Sequence, residues 1–169
     1  MIGTVRLQSE PFDAAKEAAE VVRGRTDIGA VVTFTGICRG EEAGAPLVAM
    51  TLEHYPEMAQ VEVARHVQAA EKRWPLLAVR VIHRFGRLVP GDPIVLVITA
   101  AAHRQDAFAA AEFLMDYLKT RAPFWKHVEG ARGNVWVAAK EGDAAQAEKW
   151  AREQSARGSS RRETDRRAQ

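Results

Sequence analysis

The stretch Asp116-Tyr-Leu-Lys-Thr-Arg-Ala-Pro-Phe-Trp-Lys126 marks the place where a helix must end and a strand can begin. Pro123 has no amide hydrogen to donate, and it disfavours the helical conformation of the residue before it. The pattern therefore predicts Lys119 and Arg121 in the last turn of a helix and Lys126 on the element that follows. These cations around one helix end indicate a compact basic site.

Lys126 is the cation of this group that helix stability does not explain. Cations in a last turn complement the helix dipole by roughly 0.3–1 kcal/mol each, which accounts for Lys119 and Arg121 without any function. Lys126 instead follows Pro-Phe-Trp, whose large apolar side chains are expected to be buried. Lysines beside such material are often chemically active, so Lys126 is predicted to be functional.

Outward from this stretch, the predicted elements follow the order β-α-β-β-α-β-β-α-β-β. The predicted strands are 4–8, 29–37, 47–55, 77–85, 94–101, 124–128 and 134–139, and the helices are 9–22, 56–74, 105–121 and one from 144 onward. The stripe predicted for the helix at 56–74 is Met58, Val61, Ala64, Val67 and either Ala70 or Glu71, and Phe34 and Phe108 are assigned to the core. Neighbouring strands without a helix between them favour an α+β fold with a mixed or antiparallel sheet.

Composition predicts a single domain with an appended tail. The chain has 169 residues, 47% of them hydrophobic, which suits one core. Residues 151–169 hold six arginines against three acidic residues, a net of +3, so the remaining residues carry −1 of the total +2. We therefore expect one domain over 1–150 and a polar, Arg-rich, flexible tail over 151–169. A near-neutral body argues against a nucleic-acid partner.

Cys38 is the only cysteine, so no internal disulfide can form and a cytoplasmic location is expected. No apolar stretch approaches the roughly 18 residues of a membrane helix, so no membrane association is expected. Cys38 has no base beside it in sequence, which favours a small buried residue over a nucleophile. The histidines show no metal-ligand spacing, and neither a metal nor a cofactor is predicted.

Two further positions are candidates for anion binding. His103 and Arg104 lie where a strand gives way to a helix, and Arg39 follows the end of another strand. Each position is equally typical of a solvated surface. A helix from 105 to 121 is about 25 Å long, so His103 and Lys119 are far apart. Either the site is elongated or a second subunit contributes to it.

Several motifs in one order resemble the large, catalytic subunit family of molybdopterin synthases. They are Gly29-Ala-Val-Val-Thr-Phe-Thr-Gly36 with Arg39, Leu52-Glu-His-Tyr-Pro56, Arg73-Trp-Pro75, Val81-Ile-His-Arg84, Pro90-Gly-Asp92, Ala102-His-Arg104 and Asp116 to Lys126. The resemblance covers residues 28–150 and leaves out 151–169.

The resemblance implies an α/β-hammerhead-like two-layer fold and a homodimer within a heterotetramer. Its partner is a small ubiquitin-like sulfur-carrier subunit whose C-terminal Gly-Gly ends in a thiocarboxylate. The implied reaction converts a cyclic pyranopterin monophosphate to molybdopterin by adding two sulfurs. Lys119 and Lys126 match the family's catalytic lysines, and Arg39, His103 and Arg104 match its pterin and phosphate site. These basic residues suit both ligands, because the thiocarboxylate and the phosphate are anions.

Two other functions remain open from the residues alone. One is an enzyme that acts on a phosphorylated small molecule with His103 as general base and needs no protein partner. The other is an RNA-binding module that uses the basic tail.

Overall fold

Two β-sheets and three helices make up the part of the chain that the computed structural model describes, residues 3–120, 122–130 and 133–137. The helices are α1 (Ala14–Val22), α2 (Pro56–Arg73) and α3 (Arg104–Thr120). The strands are β1 (Gly3–Gln8), β2 (Ala30–Ile37), β3 (Glu41–Glu42), β4 (Ala45–His54), β5 (Leu76–Arg84), β6 (Gly86–Leu88), β7 (Pro93–Ala101), β8 (Phe124–Gly130) and β9 (Gly133–Val137). Arg121, the helix predicted from 144 and the tail over 151–169 lie outside the described residues.

The first sheet has the strand order β1-β5-β7-β2 and is mixed. β1 runs parallel to β5, whereas β5, β7 and β2 are antiparallel neighbours. Helices α2 and α3 cover one face, and α1 covers the other. Because side chains alternate along a strand, β7 contributes Val95 and Val97 to the α2–α3 core and Leu96 and Ile98 to the α1 core.

The second sheet has the strand order β3-β4-β8-β9, and β6 also pairs with β4. β4 and β8 are antiparallel, with Leu52 opposite Lys126. The buried residues on this side of the sheet are Cys38, Met50, Leu52 and Leu88. Ile94 at the start of β7 packs against the same cluster. The second sheet therefore meets the first where β2 ends and β7 begins.

The predicted fold class is confirmed, since the chain is α+β with a mixed sheet, and the seven predicted strands and first three predicted helices occur in the predicted order. The short strands β3 and β6 were not predicted. The helix predicted from residue 9 begins at Ala14, because the Asp13 side chain caps it by accepting the Lys16 N–H at 3.0 Å. Within the described ranges, no helix has both the length and the apolar character needed to span a membrane.

The predicted apolar stripe of α2 was partly wrong. Met58 and Val61 are exposed, and the residues that α2 buries are Ala59, Val63, Val67 and Ala70. Phe34 on β2 and Phe108 on α3, both assigned to the core, are also exposed. Helices α2 and α3 have apolar residues on more than one side. Which side is buried is decided by how each helix packs on the sheet.

His83 on β5 is a buried histidine at the junction of the two sheets. Its ring stacks on Phe124, the first residue of β8, with ring centroids 3.9 Å apart. Its Nδ1 lies 2.8 Å from the Arg84 carbonyl oxygen, and because a carbonyl only accepts, Nδ1 carries the hydrogen. Burial lowers the pKa of His83 to about 4, so the ring is neutral at pH 7.

We expect His83 to make the protein less stable in mild acid. Unfolded His83 binds a proton below about pH 6.5 but folded His83 only near pH 4, so the unfolded state gains stability as pH falls between these values. The shift corresponds to roughly 3 kcal/mol at 1.36 kcal/mol per pKa unit. His83→Phe should flatten the pH dependence of the free energy of unfolding by about that amount, measured by urea unfolding.

The matched control is His103→Gln, which removes an exposed histidine. Both variants are compared with the wild type at each pH. Equal pH dependence in His83→Phe and wild type would contradict the assignment of His83 as a neutral buried group.

Candidate functional site

Arg39 follows β2 directly, on a backbone that a neighbouring turn holds in place. The Cys38 N–H donates to the Asp92 carbonyl, and the Gly91 N–H donates to the Cys38 carbonyl, both at 2.8 Å. The Asp92 carboxylate accepts the Val89 N–H at 3.0 Å, which closes the turn before β7. The Arg39 side chain is 72% exposed. The main chain beside Arg39 is therefore fixed, while its guanidinium is open to a ligand.

Lys126 lies on β8 with its side chain on the face that also carries Leu52. It is 27% exposed, and its Nζ donates to Glu42 Oε1 at 2.8 Å. The other carboxylate oxygen, Glu42 Oε2, lies 3.6 Å from a terminal guanidinium nitrogen of Arg39. One carboxylate thus lies between Arg39 and Lys126, and these two predicted site residues belong to one cluster.

Glu42 reaches this position because a tight hairpin turns the chain back immediately after it. Glu42 pairs with Ala45, and the turn residues Ala43 and Gly44 have φ values of 52° and 76°. Positive φ at both central residues is the geometry of a type I′ hairpin. An open cavity of about 650 Å³ lies along this segment, lined by Arg39, Gly40, Glu41, Ala43 and Gly44. The arginine therefore borders a space that can admit a ligand.

Lys119 is in the last turn of α3, as predicted, and is exposed. Helix α3 leaves the end of β7 and packs on β7 and β2, so it runs back along the sheet. The next strand, β8, begins at Phe124, whose ring stacks on His83 of β5. His83 in turn pairs with Val95 near the start of β7. The start of β7 adjoins the end of β2. Lys119 therefore lies at the same end of the first sheet as Arg39.

His103 and Arg104 lie at the opposite end of this sheet, and both are exposed. Ala101, two residues before His103, accepts the N–H of Gly29 at 3.1 Å, just before β2 begins. β2 has eight residues, so its ends are about 25 Å apart at a rise of roughly 3.3 Å per residue. One chain therefore does not bring His103 and Arg104 to Arg39 and Lys126, in agreement with the separation predicted from the helix length.

Cys38 is buried beneath this site with 2% of its surface exposed. Burial raises the pKa of its thiol, the charge of Asp92 raises it further, and the charge of Lys126 opposes the shift. The reactive thiolate form is thereby disfavoured. The small buried role expected for Cys38 matches this environment better than a role as nucleophile.

Histidines and acids form no group of three or more that could hold a metal ion among the described residues. His54 and His83 are instead near Phe85 and Phe124, with ring centroids 3.9–5.8 Å apart. These rings pack together at the start of β8. They therefore help to hold in place the strand that carries Lys126.

Glu42 is the residue of this cluster that the sequence prediction missed. It lies 84 positions from Lys126 in the chain, within a loop whose glycines and acids resemble an ordinary solvated turn. The available signal was an acidic residue three positions after Arg39. That spacing alone does not reveal that a distant strand places a lysine on the same carboxylate.

Comparison with known proteins gives one consistent family. Residues 7–121 match the family model described as MoaE protein. A Mesorhizobium japonicum protein named molybdopterin synthase catalytic subunit is 53% identical over 150 residues, covering 87% of this chain and 92% of that protein. A protein of the same name from Rhizobium meliloti is 55% identical over 152 residues, covering 88% and 96%.

A solved structure supports the same family at the level of fold. The molybdopterin biosynthesis MoaE protein from Burkholderia ambifaria superimposes with a TM-score of 0.76 at 43% identity, covering 88% of this chain and 98% of that one. The family range 7–121 includes Arg39, His103, Arg104 and Lys119.

The burial of Cys38 predicts slow reaction with thiol reagents. Because it is the only cysteine, labelling by Ellman's reagent reports on it alone. At pH 8 the folded protein should react at least about tenfold more slowly than the protein in urea, since both access and thiolate formation are restricted. Equal rates for folded and unfolded protein would show that Cys38 is accessible and would reopen a catalytic role.

Proposed function

Because the chain belongs to the MoaE family, whose relatives are named molybdopterin synthase catalytic subunits, we propose that the cations around Arg39 are the substrate site of this enzyme. The proposed reaction converts a cyclic pyranopterin monophosphate to molybdopterin by adding two sulfurs. The sulfur comes from the C-terminal thiocarboxylate of a small ubiquitin-like partner. The name catalytic subunit, carried by a relative, supports the existence of a second subunit.

The observation that carries this proposal is the convergence of Arg39 and Lys126 on one carboxylate. Two cations that converge on one carboxylate can bind a ligand anion at the same position. The planar guanidinium of Arg39 suits the two oxygens of a phosphate or a carboxylate, and the ammonium of Lys126 adds a compact charge. Arg39 borders an open cavity, so a ligand reaches it from solvent.

In this proposal Lys119 and Lys126 are the catalytic residues. The thiocarboxylate sulfur attacks a side-chain carbon of the pterin, and the oxygen displaced from that carbon leaves as water. Water then cleaves the bond between the carrier's acyl carbon and the sulfur, which leaves the carrier as a carboxylate. Negative charge develops on oxygen when water attacks the acyl carbon, and a nearby ammonium stabilises it. Lys119 supplies that charge from the exposed end of α3.

A second copy of the chain supplies His103 and Arg104 in this proposal. They lie about a strand length from Arg39 within one chain, which favours a site shared between subunits. The edge strand β2 carries exposed Phe34 and Ile37, and α3 carries exposed Phe108. Apolar side chains exposed on an edge strand and a neighbouring helix are suited to an interface between copies. The assembly is a homodimer with two carriers.

The alternative with His103 as general base has weaker support. A base must be within hydrogen-bond reach of its substrate, and His103 is at the other end of the sheet from the cavity beside Arg39. RNA binding by residues 151–169 stays a prediction, since those residues lie outside the described structure. No observation on the described residues favours either function over sulfur transfer.

A single domain over 1–150 and a cytoplasmic location complete the proposal. The family range and the alignments of 150 and 152 residues to relatives support one unit of that size. The unpaired thiol of Cys38 is typical of a reducing compartment. Residues 151–169 act as an appendage to the domain.

We expect Lys119→Ala to lose about 3–4 kcal/mol of transition-state stabilisation, by analogy with removal of an oxyanion donor. This is a fall in rate on the order of a hundredfold to a thousandfold. The measurement is single-turnover conversion of the pyranopterin by the thiocarboxylated partner, with thermal unfolding of each variant. Lys119→Arg should rescue little if Lys119 transfers a proton and much if only its charge matters.

The matched control is Lys72→Ala, which removes an exposed lysine from the last turn of α2. It should turn over at the wild-type rate. The proposed function fails if Lys119→Ala is folded, binds the partner normally and still converts substrate as fast as the control.

A further inference from the structure

Glu42 neutralises the two cations that the proposed function assigns to substrate. Its carboxylate is 13% exposed, and its oxygens lie 2.8 Å from Lys126 Nζ and 3.6 Å from Arg39. Because Glu42 is part of the chain, its carboxylate is present at these cations at a very high effective concentration. Any incoming anion must therefore compete with it.

Competition is the expected outcome because the carboxylate and a ligand anion occupy equivalent positions. An anion that contacts both Arg39 and Lys126 comes close to Glu42, and like charges in a partly buried place repel strongly. Simultaneous binding of Glu42 and a ligand anion at both cations is thus unfavourable.

The backbone makes Glu42 the member of the cluster best able to move. Lys126 lies inside β8, with ladder partners Leu52 on one side and Val137 on the other. Glu42 lies on a strand of only two residues, which pairs on one side with β4. The turn after it holds Ala43 at a φ of 52°, a conformation that disfavours residues other than glycine. The hairpin borders the open cavity lined by Arg39, Gly40, Glu41, Ala43 and Gly44.

We propose that Glu42 is an internal counter-anion that occupies the ligand position between Arg39 and Lys126 and is displaced when an anionic group binds there. The displacing group is a carboxylate-like or phosphate anion, from the carrier tail or from the pterin. Glu42 thereby acts as a specificity-determining residue. Anions with weak contacts fail to displace it, and a group that makes bidentate contacts or arrives on a docked partner succeeds. This inference rests on the proposed function of Arg39 and Lys126.

The test compares anion binding by Glu42→Gln with that of the wild type. Glutamine keeps the size and hydrogen-bonding ability of the side chain and removes its charge. The control is Glu57→Gln, which makes the same change in net charge at an exposed position in the first turn of α2. Thermal unfolding checks that both variants are folded, and Glu42→Asp, which keeps the charge on a shorter side chain, serves as a second variant at the position.

Two probes distinguish whether the displacing anion resembles the phosphate of the pterin or the carboxylate of the carrier tail. One is inorganic phosphate, and the other is a synthetic peptide that ends in Gly-Gly with a free carboxylate. Binding of each is followed by NMR titration at constant ionic strength. If Glu42 occupies the site about nine-tenths of the time, its removal tightens the dissociation constant of the displacing anion about tenfold. Glu57→Gln should change it by less than about twofold, the scale of screened surface charge.

Turnover gives a second readout. Glu42→Gln should lower KM for the substrate that carries the displacing group, by about the factor by which the dissociation constant of the probe falls. The proposal is overturned if neither probe binds Glu42→Gln more tightly than wild type. It is equally overturned if binding weakens, which would make Glu42 a positioning residue for Lys126.

Failure of this inference and failure of the proposed function are distinguishable. If Glu42→Gln gains no affinity while Lys119→Ala still loses turnover, only the counter-anion is wrong. If Lys119→Ala turns over normally, the sulfur-transfer site is wrong, whatever the probes show.

Discussion

The antiparallel pairing of β4 with β8 is the constraint on which the rest of the site depends. β4 holds Lys126 opposite Leu52 through one ladder, and it holds the strand that carries Glu42 through another. Residues 84 positions apart in the chain thereby form an ion pair at 2.8 Å. An ion pair between partly exposed side chains stabilises by only about 1 kcal/mol or less. The pair therefore cannot hold these segments together, and the backbone ladders and the apolar cluster beneath them must do so.

The first sheet determines which cations can act together within one chain. Its strand β2 ends beside Arg39, and α3 runs back along the sheet to bring Lys119 to the same end. The start of α3 leaves His103 and Arg104 at the other end, about a strand length away. A rigid sheet cannot shorten that distance, so a small ligand that contacts both groups would have to lie between two copies of the chain. The geometry of a single subunit thus argues for the oligomer that the proposed reaction uses.

The sequence was sufficient to predict the described helices and the longer strands, but not the contacts between distant segments. Pro123 and Pro56 mark helix boundaries by local chemistry, and these boundaries were placed within one or two residues. The buried stripe of α2 was wrong at Met58 because the helix has apolar residues on more than one side. Which side is buried depends on the sheet it meets. Glu42 was missed for the same reason, since its partner is supplied by tertiary pairing and not by spacing along the chain.

The most direct measurement of the central claim is a double-mutant cycle between Arg39 and Lys126. Arg39→Ala, Lys126→Ala and the combined variant are compared with wild type by single-turnover conversion of the pyranopterin with the thiocarboxylated partner. If both side chains act on one anion, the loss in the double variant should be smaller than the sum of the single losses by more than about 0.5 kcal/mol. Losses that add to within that margin would mean that Arg39 and Lys126 act at separate places, and they would contradict the account of a single site.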